Sequence, residues 1–291
     1  MSENHYSARV KIINLAGLKI TAESKTVILR QISERLQQGY KTFITTPYSE
    51  FLLAARRDPK VLDTLNRSDI AIADGIGVIW AAKYLSLRLT ARSRWLRFIQ
   101  AIWQMKYTGA SILLKPRYVY SIIPEKIVGA DFAWDLAGLA EKNNWSVYLL
   151  GGFDDTSARV AEIFRRRYPK LTVHESNKNP ENKTSLEDIK AVKPDILMVA
   201  YGPIRQEQWI VDNWAILPVK AAIGLGGTFD YIAGKRSNPP RLVRYTGLEW
   251  LFRLFTQPKR AKRIYRATFG LIGEMIRYKL TSNKYQIKNS T

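Results

Sequence analysis

The chain has 291 residues, and its 46 Lys and Arg against 25 Asp and Glu give a formal net charge of +21. Hydrophobic residues make up 46% of the sequence, which supplies a sizeable core and excludes disorder over most of the chain. Cysteine is absent, so disulfide scaffolds, thiol nucleophiles and cysteine-ligated metal sites are excluded. We expect a protein of the reducing cytoplasm, with neither a secretory signal nor a transmembrane helix.

Predicted strands alternate with predicted helices in the first three-quarters of the chain. Extended segments are predicted at 10–21, 41–46, 70–73, 145–150, 171–174, 195–200 and 219–223. Helices are predicted at 27–36, 48–56, 76–84, 131–142, 156–168, 186–192 and 205–214. This alternation predicts an α/β fold with a doubly wound, mostly parallel, Rossmann-like sheet.

Polar residues and glycines follow five of the predicted strands. Ligands of open α/β sheets bind beyond the carboxyl ends of the strands, so we expect these residues to share one crevice. An alternative holds for each of them, because glycine serves any strand-to-helix turn and aspartate also caps helices. The residues are Thr46, Asp74, Gly75, Gly151, Gly152, Tyr201, Gly202, Gln206, Glu207, Gly226 and Gly227.

The chemistry of this crevice is constrained by what the sequence lacks. It has no Walker A motif, no complete G-x-G-x-x-G fingerprint, no Asp-x-Asp pair and only two histidines without ligand spacing. We therefore expect no metal and no cofactor, and a bound diphosphate would be neutralised by cationic side chains and backbone dipoles. The lone carboxylate of Asp74 suits a single general base that deprotonates a hydroxyl acceptor.

Most of the excess positive charge lies in two aromatic-rich stretches. Residues 85–124 contain seven basic residues and no acidic one, and residues 241–291 contain twelve basic residues against two acidic ones. This composition suits an anionic membrane surface, single-stranded nucleic acid, or an ordinary basic surface over core residues. After the break at Asn238-Pro239-Pro240 the pattern is helical. We expect an α/β domain over 1–240, enlarged at 85–124, and a basic helical appendage over 241–291.

Six sequence blocks resemble the WecG/TagA/CpsF family of bacterial glycosyltransferases. They are TTPYSE, SDIAIADGIGV, EKIVGAD, PDILMVAYGPIRQEQWI, AAIGLGGTFDYIAGKRSNPP and GLEWLFRLFTQPKRAKRIYR, in that order. The resemblance implies an inverting, metal-independent hexosyltransferase that moves an N-acetylmannosamine-like sugar from UDP to a polyprenyl-diphosphate-linked sugar. It also implies a role in teichoic-acid, exopolysaccharide or other cell-surface polysaccharide assembly, with the enzyme peripheral on the inner face of the cell membrane.

The resemblance also assigns roles to individual residues. Asp74 matches the proposed catalytic base, and Thr46 and Gln206 match residues around the sugar and acceptor. The basic appendage would dock the enzyme on the membrane, and its arginines would clamp the diphosphate. Tyr48 and Lys126 stand where the family usually has Asn and Arg. The expected substrate-binding set is Thr46, Tyr48, Gly75, Lys126, Gly151, Gly152, Gln206, Glu207, Gly226, Gly227, Asp230, Arg253, Arg260 and Arg263.

Two other functions are weighed against this one. A nucleic-acid-binding module would account for the charge of +21 but gives no reason for Asp74 or Gln206-Glu207 at strand ends. A nicotinamide-dependent oxidoreductase is weakened by the incomplete dinucleotide fingerprint. We therefore expect a UDP-sugar, a polyprenyl-diphosphate-sugar and an anionic membrane as partners, and no nucleic acid. Homo-oligomerisation is compatible with the sequence.

Overall fold

A six-stranded parallel sheet organises the chain in a computed structural model. The structure describes residues 10–180, 182, 184–236, 240, 243, 249–256 and 261–282. The sheet strands, in spatial order, are β4 (Ile70–Ala71), β3 (Thr42–Thr45), β8 (Ala221–Gly224), β7 (Ile196–Ala200), β5 (Val147–Gly151) and β6 (Val173–Ser176). All five neighbouring pairs are parallel. The predicted doubly wound, Rossmann-like α/β class is confirmed.

Helices cover both faces of the sheet, which is why β3, β5 and β8 are buried along their whole length. The helices that precede the carboxyl-terminal region are α1 (Lys25–Gln37), α2 (Ser49–Arg57), α3 (Pro59–Asn66), α4 (Ile76–Ser86), α5 (Arg94–Leu114), α6 (Pro116–Val119), α7 (Gly129–Lys142), α8 (Thr156–Arg167), α9 (Thr184–Val192), α10 (Arg205–Asn213) and α11 (Thr228–Ile232). Helices α1, α7 and α8 share one apolar cluster with the sheet, and α9 and α10 pack in another.

A third apolar cluster lies beside the β4 edge and includes the carboxyl-terminal region. That region contains α12 (Glu249–Thr256), α13 (Ala261–Tyr265), a π-helical turn (Arg266–Gly270) and α14 (Leu271–Thr281). Leu271 and Met275 of α14 are buried with residues of α2 and α4, and α14 also packs on α5. Lys279 donates a hydrogen bond to the Tyr84 carbonyl, and burial lowers the pKa of this lysine to about 7.

The structure departs from the sequence predictions in several places. Residues 10–21 are not one extended segment but an antiparallel hairpin, β1 (Ile12–Leu15) and β2 (Leu18–Thr21), which turns at Ala16-Gly17 with both residues at positive φ. Strands β5, β6 and β8 each begin two residues later than expected. Helix α3 was not predicted, although Pro59 takes the first-turn position that proline favours. Helix α5 occupies the basic segment at 85–124, for which no element was predicted.

No helix in the described part of the chain is both long enough and apolar enough to cross a lipid bilayer. This includes α5, which has 21 residues.

Candidate active site

The carboxyl ends of β3, β4 and β8 bring three predicted site segments together. The Asp74 N–H donates to the Pro47 carbonyl at 2.9 Å, which joins the segment after β4 to the segment after β3. The Thr46 hydroxyl, which is buried, donates to the Gly224 carbonyl at the end of β8. These contacts join the ends of β3, β4 and β8, three of the five strand ends that were expected to share one crevice.

Asp74 lies half-buried between two helix starts. Gly75 follows it with φ +95° and ψ 153°, a conformation that only glycine adopts readily, and this turn leads into α4. A Cβ placed on Gly129, the first residue of α7, would lie 3.3 Å from Asp74 Oδ2 and 3.4 Å from Thr228 Oγ1. Gly129 therefore leaves room for the carboxylate against the α7 N-terminus, where the helix dipole favours negative charge.

Gln206 and Glu207 form a buried hydrogen-bonded pair below the β8–α11 turn. Gln206 Nε2 donates to Glu207 Oε1 at 2.8 Å, and the Gly226 N–H donates to Gln206 Oε1 at 2.9 Å. The second Glu207 oxygen accepts from the Ile204 N–H at 2.7 Å, and Ile204 has φ +70°. Burial raises the pKa of Glu207 to about 7. The pair therefore links the turn before α10 to the glycine turn after β8 and holds both in place.

Gly224 has no space for a side chain. A Cβ there would lie 2.2 Å from Glu207 Oε1 and 2.5 Å from Gln206 Nε2. Gly226 has φ +47°, and a Cβ on Gly227 would lie 3.2 Å from Arg236 Nη1. These close approaches explain the run of glycines after β8.

Asp230 is held by an ion pair. Arg236 Nη2 lies 2.9 Å from Asp230 Oδ2, and the Arg236 N–H donates to the Asp230 carbonyl at 3.1 Å. The same guanidinium lies against Gly227, since Nη1 is 3.2 Å from the position of a Cβ there. Asp230 thus holds the Arg236 guanidinium beside the glycine turn.

Gly151 and Gly152 lie where the order of the strands in the sheet reverses. The chain leaves β5 toward β6 and leaves β7 toward β8, so β5 and β7 flank the topological switch point. Gly151 and Gly152, at the end of β5, have φ +89° and +91°. A Cβ on Gly151 would lie 2.7 Å from the Tyr201 ring, so the glycine lets this ring cover the strand end.

The carboxyl-terminal region reaches the crevice through Arg263. Its Nε and Nη2 lie 2.6 Å from the two Glu50 carboxylate oxygens, and Nη2 lies 3.2 Å from the Tyr48 hydroxyl. The hydrogen bonds that Arg263 donates to Glu50 raise the pKa of Arg263. Burial, and then the Glu50 charge, raise the pKa of Tyr48. Tyr48 follows Pro47 directly, so this triad ties α13 to the segment that supports Asp74.

A second tie joins α12 to the other side of Asp74. Lys126 Nζ lies 2.6 Å from Glu249 Oε1, with both side chains largely buried. The nearby Ile127 N–H donates to the Ala73 carbonyl at 3.2 Å, so the Lys126 segment runs alongside the end of β4. The side chain of Arg253, and all of Arg260, lie outside the described residues.

Sequence reasoning missed several residues of this crevice. Gly129, Thr228 and Arg236 approach predicted site residues, and Glu50 and Glu249 hold the carboxyl-terminal region in place. Gly129 had a signal in the EKIVGAD block, where it stands two residues before the helix predicted at 131–142. The two glutamates had none, because their partners are distant in sequence. The described residues contain no group of three or more His, Asp or Glu side chains arranged to hold a metal ion.

Comparison of the sequence with known proteins identifies its family. The sequence model described as "Glycosyl transferase WecG/TagA/CpsF family" matches residues 13–115 and 106–285. The chain belongs to this family. It is therefore a glycosyltransferase, and both the crevice and the two ties to the carboxyl-terminal region lie inside the matched residues.

Curated relatives of this WecG/TagA/CpsF glycosyltransferase cover its whole length. Proteins from Staphylococcus aureus strain MRSA252 and strain COL are each 23% identical over 297 residues, which span 100% of this chain and 99% of the relative. Both relatives are named N-acetylglucosaminyldiphosphoundecaprenol N-acetyl-beta-D-mannosaminyltransferase.

Proposed function

We propose that this glycosyltransferase moves N-acetylmannosamine, or a closely similar hexose, from UDP to a sugar that is linked to a polyprenyl diphosphate. The reaction inverts the anomeric centre and needs no metal ion. The observation that carries the proposal is the Asp74 carboxylate at the carboxyl edge of the sheet, between the starts of α4 and α7. The names of the full-length relatives support the sugar and the acceptor class. The product would enter cell-surface polysaccharide assembly, such as that of teichoic acid.

Asp74 acts as the general base in this proposal. Its carboxylate takes the proton of the acceptor hydroxyl while the hydroxyl oxygen attacks the anomeric carbon of the donor. The bond from that carbon to the UDP oxygen breaks, and UDP leaves with the electron pair. A single displacement of this kind inverts the anomeric centre.

The donor nucleotide belongs at the switch point between β5 and β7. Ligands of open α/β sheets bind at such switch points, and the Tyr201 ring that covers Gly151 offers an aromatic face there. Four strand intervals separate β5 from β4, which is about 19 Å at the usual spacing of about 4.8 Å. Gln206, Thr46 and the glycine turn at 224–227 lie between the two ends and would hold the diphosphate and the sugar.

Arg263 supplies part of the charge that offsets the diphosphate. Glu50 and Tyr48 use the N–H groups on Nε and Nη2, and the two on Nη1 make no hydrogen bond to the residues that the structure describes. A guanidinium pre-oriented in this way can bind a phosphate with its remaining edge. Arg253 and Arg260, from the same basic stretch, are proposed to complete the clamp.

Replacing Arg263 with Ala should raise the KM for the UDP-sugar and weaken UDP binding by roughly tenfold, the loss of one charge-assisted contact. The UDP affinity of Arg263→Lys should lie between those of wild type and Arg263→Ala, because lysine keeps the charge but loses the forked geometry of the guanidinium. Titration calorimetry with UDP checks this, with Arg30→Ala on the exposed face of α1 as the matched control. Unchanged UDP affinity in Arg263→Ala would reduce this arginine to a structural tether.

The function is tested by incubating the protein with UDP-N-acetylmannosamine and an N-acetylglucosaminyl-diphosphate-polyprenol. We expect transfer with inversion, measured by mass spectrometry and by the anomeric NMR coupling of the product. EDTA should leave the rate unchanged. Retention of configuration, or full loss of turnover in EDTA with recovery on adding a divalent cation, would refute the proposed mechanism.

The cellular context follows from the acceptor. A polyprenyl-linked substrate keeps the enzyme at an anionic membrane surface, and a UDP-sugar donor is available on the inner face of the cell membrane. We retain the division into an α/β domain over 1–240 and a basic appendage over 241–291 as a proposal. The described part of that appendage reaches the crevice through Arg263 and through Glu249.

A further inference from the structure

Helix α5 buries polar side chains and exposes apolar ones, the reverse of an ordinary surface helix. Its buried residues are Ala101, Gln104, Thr108 and Ser111, three of which are polar. Gln104 Nε2 donates to the Arg88 carbonyl at 2.9 Å, and Thr108 accepts from Trp80 Nε1 at 3.0 Å, whereas Gln104 Oε1 is buried without a hydrogen-bond partner among the described residues. The inward face of α5 is therefore held in part by hydrogen bonds, alongside the packing of Met105 and Ile112.

The outward face of the same helix is aromatic and aliphatic. Trp95 is 69% exposed and Trp103 is 63% exposed, with Ile99 exposed between them. Residues four apart advance about 40° around a helix, so these three lie within one sector of about 80°, opposite the buried face. Leu96, Phe98, Leu113 and Leu114 extend the exposed apolar surface. An exposed apolar surface of this kind marks an interaction site.

The charge around this surface indicates what covers it. Residues 85–124 carry seven basic side chains and no acidic one, and Lys106 lies within the outward sector of α5. Pairing two copies of this face would bring like charges together. A bilayer with anionic headgroups instead attracts the basic side chains, takes up the aliphatic ones, and accommodates tryptophan at its interface.

We propose that α5 lies in the plane of an anionic bilayer, with Trp95, Ile99 and Trp103 inserted among the lipids. This inference rests on the proposed function for its purpose, the capture of a lipid-linked acceptor, but not for its physical basis. The bond between Trp80 and Thr108 joins α5 to α4 only four residues after Ile76, about 6 Å along the helix axis. A lipid surface at α5 is thus rigidly connected to the helix that follows Asp74.

The test compares wild type with the double variant Trp95→Ala/Trp103→Ala. Binding to phosphatidylcholine vesicles with and without phosphatidylglycerol is measured by sedimentation at low and high salt. We expect wild type to prefer the anionic vesicles, and the double variant to bind them roughly tenfold or more weakly. Tyr40→Ala is the matched control, since Tyr40 is also an exposed aromatic (58%) but lies between α1 and β3, outside α5.

A second readout separates this inference from the proposed function. The double variant should lose transfer to a long-chain acceptor in vesicles and keep transfer to a short-chain, water-soluble acceptor. Absence of transfer to either acceptor in wild type would refute the function, whereas vesicle binding would still report on α5. Unchanged vesicle binding in the double variant overturns the inference. A wild-type dimer that the double variant dissociates, measured by light scattering, also overturns it and makes α5 a self-association face.

Discussion

Asp74→Asn is expected to lower kcat by roughly 10²- to 10⁴-fold, the usual range for removing a general base. Asparagine is nearly isosteric, so the Asp74 N–H bond to Pro47 and the contact with Gly129 should persist. The amide has no lone pair basic enough to take the acceptor proton. Because the nucleotide is proposed to bind at β7 and β5, three and four strand intervals from β4, UDP affinity should stay nearly unchanged. Initial rates and UDP titration together check the prediction.

Asp63→Asn is the control for this substitution. Asp63 is an exposed carboxylate on α3, paired with Arg67 one helical turn later, and its loss should leave kcat unchanged. Near-normal turnover in Asp74→Asn would place the base elsewhere. Equal losses of turnover and UDP affinity would mean that the substitution disturbs the whole crevice rather than proton transfer.

The sheet and its ligand-binding edge could be predicted because their signals are local. Each buried strand is a short apolar run, and the glycines after β5 and β8 mark turns with positive φ or close approach. The order of the strands was not accessible in the same way. That Thr46 donates to the Gly224 carbonyl depends on β3 lying beside β8, residues 178 apart in the chain.

The ties of the carboxyl-terminal region could not be predicted for the same reason. Arg263 and Glu50 are 213 residues apart, and Lys126 and Glu249 are 123 residues apart. Charged residues of either type occur throughout the chain, and no spacing rule pairs them. The sequence could predict a basic, helical appendage but not which acidic residues hold it at the crevice.

Helix α5 shows a different limit. Periodicity identifies two faces of a helix but does not say which of them is inside. Gln104, Thr108 and Ser111 would ordinarily be assigned to solvent, and Trp95 and Trp103 to the core. The structure has the reverse, because Trp80 and the Arg88 carbonyl supply hydrogen-bond partners inside. The basic and aromatic composition of residues 85–124 left a membrane surface, single-stranded nucleic acid and an ordinary basic surface open, and it assigned no helix.

Gly224→Ala is expected to disrupt the crevice strongly. The new Cβ would overlap Glu207 Oε1 and Gln206 Nε2, at 2.2 Å and 2.5 Å. Neither side chain can move without breaking the bond from the Ile204 N–H or from the Gly226 N–H. Overpacking of this kind costs about 1–3 kcal/mol in the free energy of unfolding. The rate of sugar transfer should fall by more than the loss of folding free energy alone explains, because Gln206 no longer positions the turn at Gly226. Urea denaturation and initial rates measure the two effects.

Gly273→Ala provides the matched control on α14. Nothing lies within 4 Å of a Cβ at that position, so the alanine should leave transfer unchanged and add up to about 1 kcal/mol of helix stability. Wild-type stability and turnover in Gly224→Ala would contradict the close approach of β8 to the Gln206-Glu207 pair. A stable variant with lost turnover would instead show that the pair's main role is to hold the glycine turn in a catalytically competent shape, since the fold then tolerates the shift and the chemistry does not.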